Sequence, residues 1–375
     1  MSKTFLTLAM SVALSIGMSA CAEKPQADTE SAAATNQNST DAKASETASN
    51  NATAENAETI VLRFSHFLPA PSFINKEVFE PWAKQVEEKS NGRLKIEIYP
   101  GATLTKTAHT YEATAKGAVD IGLQLHGAVN GRFPLVEIAE LPGLTTTASQ
   151  TSCMLQKLLD DGVYDKEYAD THVLMMFGSA PGIIHTKNKL IKKPEDMAGL
   201  RIRRPSAVPG DIIENMGGSP VGIPAPDIYT SLERGVVDGV AIPWDAFNIF
   251  RLNEIANKHT NIPFYTSSMV VTMNQEKYDS LPDDLKKLLD ETTGSKLSKE
   301  LSAVMDSYVQ AGYEAAKAKG DEIIDIPDPL NNPDWSEPLM QGTQKYLDAI
   351  KAKGLDSEGV YEKTKAAAKA CEPTS

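Results

Sequence analysis

The chain of 375 residues carries 37 Lys and Arg against 50 Asp and Glu, which gives a formal net charge of -13 at pH 7. This excess of acid argues against nucleic-acid binding, which normally needs a basic surface. The length exceeds what one compact core usually holds, so it favours a folded part with two lobes.

The N-terminus has the pattern of an export signal. Lys3 is followed by an apolar run over 5–18 that is too short to span a bilayer in the usual way. Met18-Ser19-Ala20-Cys21 resembles the bacterial lipobox, in which the cysteine is acylated. We therefore predict a signal peptide over 1–21 and lipidation at Cys21, with cleavage by an ordinary signal peptidase as the alternative.

Residues 22–58 contain no Val, Ile, Leu, Met, Phe, Trp, Tyr or Cys. Such a segment cannot bury enough apolar surface to offset the entropy of ordering it. It is predicted to be a disordered tether, which makes sense if Cys21 is anchored. The expected location is the periplasm or cell surface, with the protein tethered to the membrane by an N-terminal lipid.

The next elements alternate between strands and helices. Strand patterns over 60–67, 93–99 and 119–125 are separated by helical patterns near 79–86 and 107–117. This order predicts a doubly wound α/β lobe with a parallel sheet. The predicted fold class is α/β.

A short internal similarity supports two related lobes. In AKGAVDIGLQL (115–125) and ERGVVDGVAI (233–242), a glycine ends a helix and Val-Asp then opens a strand. The strand-rich stretch 171–184 is a candidate hinge. A long helical pattern over 283–319 is interrupted at Gly294 and ended by Gly320, and 343–370 is also predicted to be helical. The predicted domain boundaries are lobe I over 59–184, lobe II over 185–266, a return to lobe I with the bracing helix over 267–310, and C-terminal helices packing on lobe II over 311–375.

Cysteine usage suggests one disulfide. With Cys21 taken by lipid, Cys153 and Cys371 remain as an even pair in an exported chain. We predict that they are bonded, with two separate buried thiols as the alternative.

Enzyme signatures are nearly absent. The sequence has no G-x-S-x-G, H-E-x-x-H, C-x-x-C or P-loop motif, and its six histidines are dispersed without metal-ligand spacing. No catalytic residue, metal site or cofactor is therefore expected.

Three arginines lie close together in LRIRRP at 200–205. Alternation along a strand puts Arg201 and Arg203 on one face, and Pro205 ends the strand. Ligands of open α/β sheets bind beyond the carboxyl ends of strands, so Arg203 is placed to grip a carboxylate. The alternative is that all three arginines form surface ion pairs of little energetic value.

Several stretches together resemble the solute-binding proteins of TRAP transporters, the DctP-like family. They are FSHFLPAPSFINKEVFEPWAKQVEEKSNGRLKIEIYPGATL (64–104), KGAVDIGLQLHG (116–127), KPEDMAGLRIRRP (193–205), SLERGVVDGVAIPWDAF (231–247) and VTMNQEKYDSLPDDLKKLL (271–289). The resemblance implies the fold of periplasmic binding proteins, with two doubly wound α/β lobes joined by hinge strands and braced by a long helix. The lobes are expected to close around an organic acid and pass it to TRAP membrane permease subunits.

In that family an arginine at the end of this strand binds the ligand carboxylate, and the matching position here is Arg203. The resemblance also places Ile242 where relatives that bind sialic acid or polar dicarboxylates have a polar residue. Leu125 stands where the family has a glutamate. Both differences imply a more apolar cleft and a monocarboxylate with an apolar or aromatic body.

The remaining candidates for ligand binding come from strand ends and from the resemblance. They are His66, Phe67, Gln124, His126, Phe177, Lys189, Trp244 and Phe247. The predicted function is an extracytoplasmic solute-binding component of a TRAP-type transporter. The alternatives are a carboxylate-sensing protein that presents its ligand to a receptor and a lipoprotein hydrolase, which no motif supports.

Overall fold

The computed structural model describes residues 59–373. The predicted signal peptide, the predicted tether and Cys21 lie outside the described residues. Within 59–373, no helix combines the length and the apolar character needed to cross a membrane. In chain order the strands are β1 (Ile60–Ser65), β2 (Leu94–Tyr99), β3 (Ile121–Leu125), β4 (Thr171–Gly178), β5 (Gly182–Thr186), β6 (Arg201–Arg204), β7 (Ser219–Gly222), β8 (Gly239–Ile242), β9 (Lys258–Tyr265), β10 (Ser268–Asn274) and β11 (Glu322–Asp325).

The helices include a π-helical segment, Ile74–Phe79, that runs directly into α1. The α-helices are α1 (Glu80–Lys89), α2 (Thr110–Ala115), α3 (Ala148–Asp160), α4 (Ala207–Asn215), α5 (Ile228–Glu233), α6 (Trp244–Ile249), α7 (Gln275–Asp279), α8 (Asp283–Thr292), α9 (Gly294–Lys319), α10 (Ser336–Ala352) and α11 (Ser357–Ala370). Trp82, Ala83 and Val86 are the buried residues of α1, as their helical spacing predicts.

The strands form two mixed sheets, one in each lobe. The first has the order β2-β1-β3-β10-β4 and the second β11-β9-β5-β8-β6-β7. β1 is parallel to β2 and β3, as the sequence predicts. β10 is antiparallel to β3 and β4, because it returns from the second lobe. The predicted α/β class with two lobes is confirmed.

The internal similarity corresponds to one structural device used twice. Asp120, just before β3, accepts hydrogen bonds at Oδ2 from the backbone N–H and the Nε of Arg63, at 2.8 and 3.0 Å. Asp238, just before β8, does the same for Arg201, at 2.9 and 3.1 Å. In each lobe the aspartate of Val-Asp is thus hydrogen-bonded to the neighbouring parallel strand, and the Arg201 side chain is engaged in that contact.

The chain crosses between the sheets at 179–181 and again at 266–267. The two crossings are hydrogen-bonded to each other, since Ser179 N–H donates to the Ser267 carbonyl at 2.8 Å and Ser267 N–H donates to Ser179 Oγ at 2.9 Å. The predicted hinge stretch contains the first crossing. The crossing comes before the predicted boundary at 184, because β5 already pairs in the second sheet.

The long helical pattern is split into α8 and α9 by Thr293, and Gly294 has a left-handed φ of 59°. α9 packs on β4 and α3 of the first lobe and on α6 of the second, so it braces both. A Cβ added at Gly312 would lie 2.8 Å from the carbonyl oxygen of Trp244. Glycine therefore allows the close approach of α9 to α6.

The C-terminal helices divide between the lobes, which differs from the prediction that both pack on lobe II. α10 packs on α4 of the second lobe, whereas α11 packs on α3 of the first. A disulfide joins Cys153 of α3 to Cys371, directly after α11, with a Cα–Cα distance of 5.8 Å.

Candidate functional site

Arg203 lies near the end of β6, paired with Val221 of β7 and Val240 of β8. It is only 3% exposed. Its Nε donates to the Ile223 carbonyl at 3.1 Å and its Nη1 to the Ala241 carbonyl at 3.2 Å. The described residues supply no carboxylate for an ion pair with this guanidinium.

Burial lowers the pKa of Arg203 from 12.5 to about 10, because the cation has lost its hydration. Removing a charge from water without a paired counter-ion is costly. An anion that entered beside Arg203 would supply the missing counter-charge. The site is therefore electrostatically prepared for a carboxylate.

Arg203 lines a cavity of about 70 Å³ between the two sheets, which we call the cleft. Most of its wall is apolar, and both lobes and the bracing helix contribute. The apolar lining includes Phe67, Ile74, Leu125 and Met269 from the first lobe, Ile228, Ile242 and Phe250 from the second, and Met305 from α9.

A second cavity of about 220 Å³ adjoins the cleft. The two share Leu125, Arg203, Pro205 and Ala225 in their linings. Arg203 thus stands between an apolar compartment and a larger, more polar space.

Tyr265, at the end of β9, also lines the cleft and is 2% exposed. Its hydroxyl is buried and makes no hydrogen bond of normal geometry among residues 59–373, although the nearby Ser267 side chain acts on it. Its ring lies against Gly182, where an added Cβ would be 2.1 Å from a ring carbon. The charge of Arg203 acts on the hydroxyl and lowers its pKa, although burial outweighs this effect and raises the pKa overall.

Asp245, in the first turn of α6, is the acidic member of the lining and is 1% exposed. Neither of its carboxylate oxygens has a hydrogen-bond partner in the described part of the chain. Burial raises the pKa of Asp245 to about 7. Arg203, Tyr265 and Asp245 are thus three polar groups with unused hydrogen-bonding capacity in a mainly apolar wall.

A buried carboxylate links the lobes beside the cleft. Glu140 accepts from the N–H and the hydroxyl of Ser268 on β10, at 2.9 and 2.7 Å, and from the hydroxyl of Ser206, which follows β6. His126 Nδ1 is 2.9 Å from Ser268 Oγ, and its Nε2 is hydrogen-bonded to the Tyr168 hydroxyl. This network ties the loop after Arg203 to the first sheet.

The geometry agrees with what known proteins show. A family model described as "Bacterial extracellular solute-binding protein, family 7" matches residues 64–349, which is more than half of the chain. The chain belongs to this family. A solute-binding protein of Albidiferax ferrireducens is 28% identical to the family 7 protein over 282 residues, which cover 72% of this chain and 82% of the relative.

Two crystal structures of TRAP solute-binding proteins are similar over most of the family 7 protein. One, from an unidentified marine microbe, is described as specific for aromatic acid ligands and contains co-crystallised 3-hydroxybenzoate. It is 32% identical, covers 84% of this chain and 99% of its own, and has a TM-score of 0.78. The other, from Rhodoferax ferrireducens with copurified benzoate, is 29% identical, covers 84% and 98%, and has a TM-score of 0.76. The predicted function as the solute-binding component of a TRAP transporter is confirmed.

Of the predicted ligand-binding residues, the family 7 protein brings Arg203, Phe67 and Ile242 together in the cleft. Trp244 and Phe247 do not line it. Trp244 Nε1 donates to Asn261 at 3.0 Å, and Phe247 stacks on His185 with 4.1 Å between ring centroids. The reason is that α6 begins at Trp244, so the helical spacing turns these two rings away from the cleft.

The other predicted residues are placed outside the cleft lining, where most have structural partners. Gln124 donates to the Thr107 and Leu125 carbonyls and accepts from Tyr111 N–H. Phe177 is fully buried in the core. The Lys189 amine donates to a backbone carbonyl. His126 belongs to the Glu140 network.

His66 Nε2 lies 3.0 Å from Asn75 Oδ1, and burial lowers the pKa of His66 to about 4. It is therefore neutral at physiological pH, and it too lies outside the cleft lining.

Sequence analysis missed Asp245 and Tyr265. The signal for Asp245 was a lone acid within the apolar run IPWDAF, on the same face as Ile249 once a helix is assumed. Tyr265 gave no comparable signal, because its position depends on the antiparallel pairing of β9 with β5.

Replacing Glu140 by glutamine is expected to change how the stability of this family 7 protein depends on pH. Burial raises the pKa of Glu140 from 4.5 to about 7 despite its three donors, so the ionised form is disfavoured in the folded state. Its contribution to stability is fully present below pH 4.5 and is lost as the pH rises through about 7. Thermal unfolding should show E140Q gaining stability relative to the wild type between pH 4.5 and 7.5.

Glu300, exposed on α9, offers a matched control. E300Q should show a constant difference from the wild type over the same pH range. A constant difference for E140Q as well would contradict the assigned role of the buried carboxylate.

Proposed function

We propose that this family 7 protein binds an aromatic monocarboxylate in the cleft and delivers it unchanged to the TRAP permease. One observation carries the proposal. Arg203 is a buried cation in the wall of a mainly apolar cavity, and residues 59–373 supply it with no counter-ion. A carboxylate would neutralise it, and an aromatic ring would fill the apolar space.

The solved relatives support this ligand class, because one holds 3-hydroxybenzoate and the other benzoate. A dicarboxylate fits less well. Its second charge would need a second cationic partner, whereas the remaining lining is apolar apart from Tyr265, Asp245, Ser179 and Ser267.

Isothermal titration calorimetry of the purified protein with benzoate, hydroxybenzoates, mandelate and succinate tests the proposal. We expect the aromatic acids to bind and succinate not to bind. Chromatography of the mixture after incubation should recover each acid unchanged. Binding of succinate alone, or turnover of a bound acid, would refute the proposal.

Tyr265 is proposed to donate a hydrogen bond from its hydroxyl to the ligand carboxylate beside Arg203. Its hydroxyl makes no hydrogen bond of normal geometry within 59–373, the residue lines the cleft, and the charge of Arg203 acts on it. Y265F should weaken benzoate binding by roughly 10-fold, since hydrogen bonds to charged groups contribute about 1.5–3 kcal/mol. Without ligand, Y265F should be at least as stable as the wild type, because it removes a buried unpaired hydroxyl.

These two readouts separate a binding role from a packing role. If Y265F lost stability and kept wild-type affinity, Tyr265 would be a structural residue only. Y313F removes a tyrosine hydroxyl outside the cleft lining and serves as the matched control.

The protein is further proposed to be anchored to the membrane through a lipid on Cys21, exposing the binding lobes outside the cytoplasm. The lipobox-like sequence before Cys21 and the apolar-free segment after it support this. C21S should move the protein from the membrane fraction to the soluble fraction, as seen by fractionation and immunoblotting. An unchanged membrane fraction would rule out the anchor.

A further inference from the structure

Asp245 is a buried acid whose polar atoms have no partner in the described part of the chain. It is 1% exposed, and both carboxylate oxygens lack hydrogen bonds. Buried polar atoms in folded proteins are nearly always hydrogen-bonded, because each unmade bond costs about 1–3 kcal/mol. Since Asp245 lines the cleft, a ligand is the natural source of the missing bond.

A purely structural role explains the residue poorly. An acid in the first turn of a helix can stabilise the helix dipole or cap its N–H groups. The N–H groups of Asp245 and Ala246 lie close enough to lower the pKa of the Asp245 carboxyl, but neither makes a hydrogen bond of normal geometry with its oxygens. The group is also buried where an exposed acid would serve the helix equally well. The buried acid therefore lowers the stability of the folded protein without being needed to form α6.

Arg203 does not supply the missing hydrogen bond of Asp245 either. The two side chains form no ion pair, and the groups whose charges act on Arg203 are Tyr265 and Arg204. The hydroxyl of Tyr265 is influenced by both Arg203 and Asp245. A ligand whose carboxylate binds Arg203 would thus meet Asp245 as a separate polar group in the same cavity.

We propose that Asp245 determines specificity by hydrogen bonding to a hydroxyl group on the ring of the bound acid, so that hydroxylated aromatic monocarboxylates are the preferred substrates. This inference rests on the proposed function of the cleft.

A hydroxyl suits the site better than an ammonium group does. Burial and the nearby Asp306 keep the pKa of Asp245 near 7, so its carboxyl group is partly neutral at physiological pH. A hydroxyl can accept from the neutral form or donate to the ionised form. An ammonium group would require the ionised form and bring a further charge into an apolar wall.

The test compares the affinities of benzoate, the three hydroxybenzoate isomers and 3-(aminomethyl)benzoate for the wild type and D245L by calorimetry. At least one hydroxybenzoate should bind the wild type about 10-fold more tightly than benzoate. Benzoate has no hydroxyl, so it would leave the carboxyl group of Asp245 without a hydrogen-bond partner. D245L should lose that preference and bind benzoate and the hydroxybenzoates with similar affinities. S267A should retain the preference.

The other outcomes are equally informative. If benzoate binds as tightly as every hydroxybenzoate, or if D245L keeps the preference, the role of Asp245 is wrong and the proposed function stands. If 3-(aminomethyl)benzoate bound most tightly, the group recognised by Asp245 would be an ammonium and not a hydroxyl, and the inference would be wrong. If no aromatic acid binds, the proposed function fails and this inference with it. Should D245L fail to fold, D245A provides the same comparison, and the wild-type ratios alone can still overturn the inference.

Discussion

Arg203→Ala should lower the affinity for benzoate by roughly 30-fold to several thousand-fold. Removing one partner of a buried, hydrogen-bonded charge pair costs about 2–5 kcal/mol, and each 1.4 kcal/mol is a factor of ten. The effect should be large because the cleft offers no second cation in its apolar compartment. Calorimetric titration of the wild type and the variant measures it directly.

The unliganded variant should unfold at the same temperature as the wild type or higher. Arg203 is buried, and the described part of the chain gives it no counter-ion, so its removal relieves a desolvation cost that the ligand is expected to offset in the wild type. If the unliganded variant were less stable than the wild type, the hydrogen bonds from Arg203 to two backbone carbonyls would stabilise the fold by more than the buried charge destabilises it.

Arg201→Ala is the matched control, two residues away on the same strand. Arg201 is half-exposed and paired with Asp238, so its loss should leave benzoate affinity within about 2-fold, as expected for surface ion pairs. R203K should recover only part of the affinity, since lysine lacks the planar fork that matches a carboxylate. Equal affinities for R201A and R203A would refute the assignment of Arg203.

The second large effect concerns the disulfide between Cys153 and Cys371. Replacing both cysteines by serine should lower the free energy of unfolding by about 2–5 kcal/mol, because the bond closes a long loop in the unfolded chain. The two positions are 218 residues apart in sequence. Urea unfolding of C153S/C371S against the wild type gives the difference.

Benzoate affinity should hardly change in this double variant, because neither cysteine lines the cleft. Reduced wild-type protein should behave like the variant, which controls for the serine hydroxyls. A stability loss below about 1 kcal/mol would show that helix packing alone holds α11 on α3.

Local patterns in the sequence predicted much of the fold. The alternation in 93–99 and the spacing of Trp82 and Val86 depend only on nearby residues, and β2 and α1 form as expected. Contacts between segments far apart in the sequence were harder to predict. The antiparallel insertion of β10 between β3 and β4, and the docking of α11 on the first lobe, depend on contacts between distant segments.

The site shows the same division. The placement of Arg203 at a strand end followed from alternation and from the family resemblance, although its role in binding stays a prediction. Trp244 and Phe247 were assigned to the cleft by strand-end reasoning, which fails where a helix begins immediately. Tyr265 enters the cleft only because Gly182, far away in sequence, leaves room for its ring.

The disulfide also changes the topology of the molecule. Together with the backbone from 153 to 371 it closes a covalent ring that contains the crossings at 179–181 and 266–267 and the whole second sheet. A single protease cut at 179–181 would open the ring without releasing a fragment, so the nicked protein should stay one piece on a non-reducing gel and separate only after reduction. The second lobe could then unfold and refold while still fastened to its partner, which keeps the two halves of the cleft at high effective concentration.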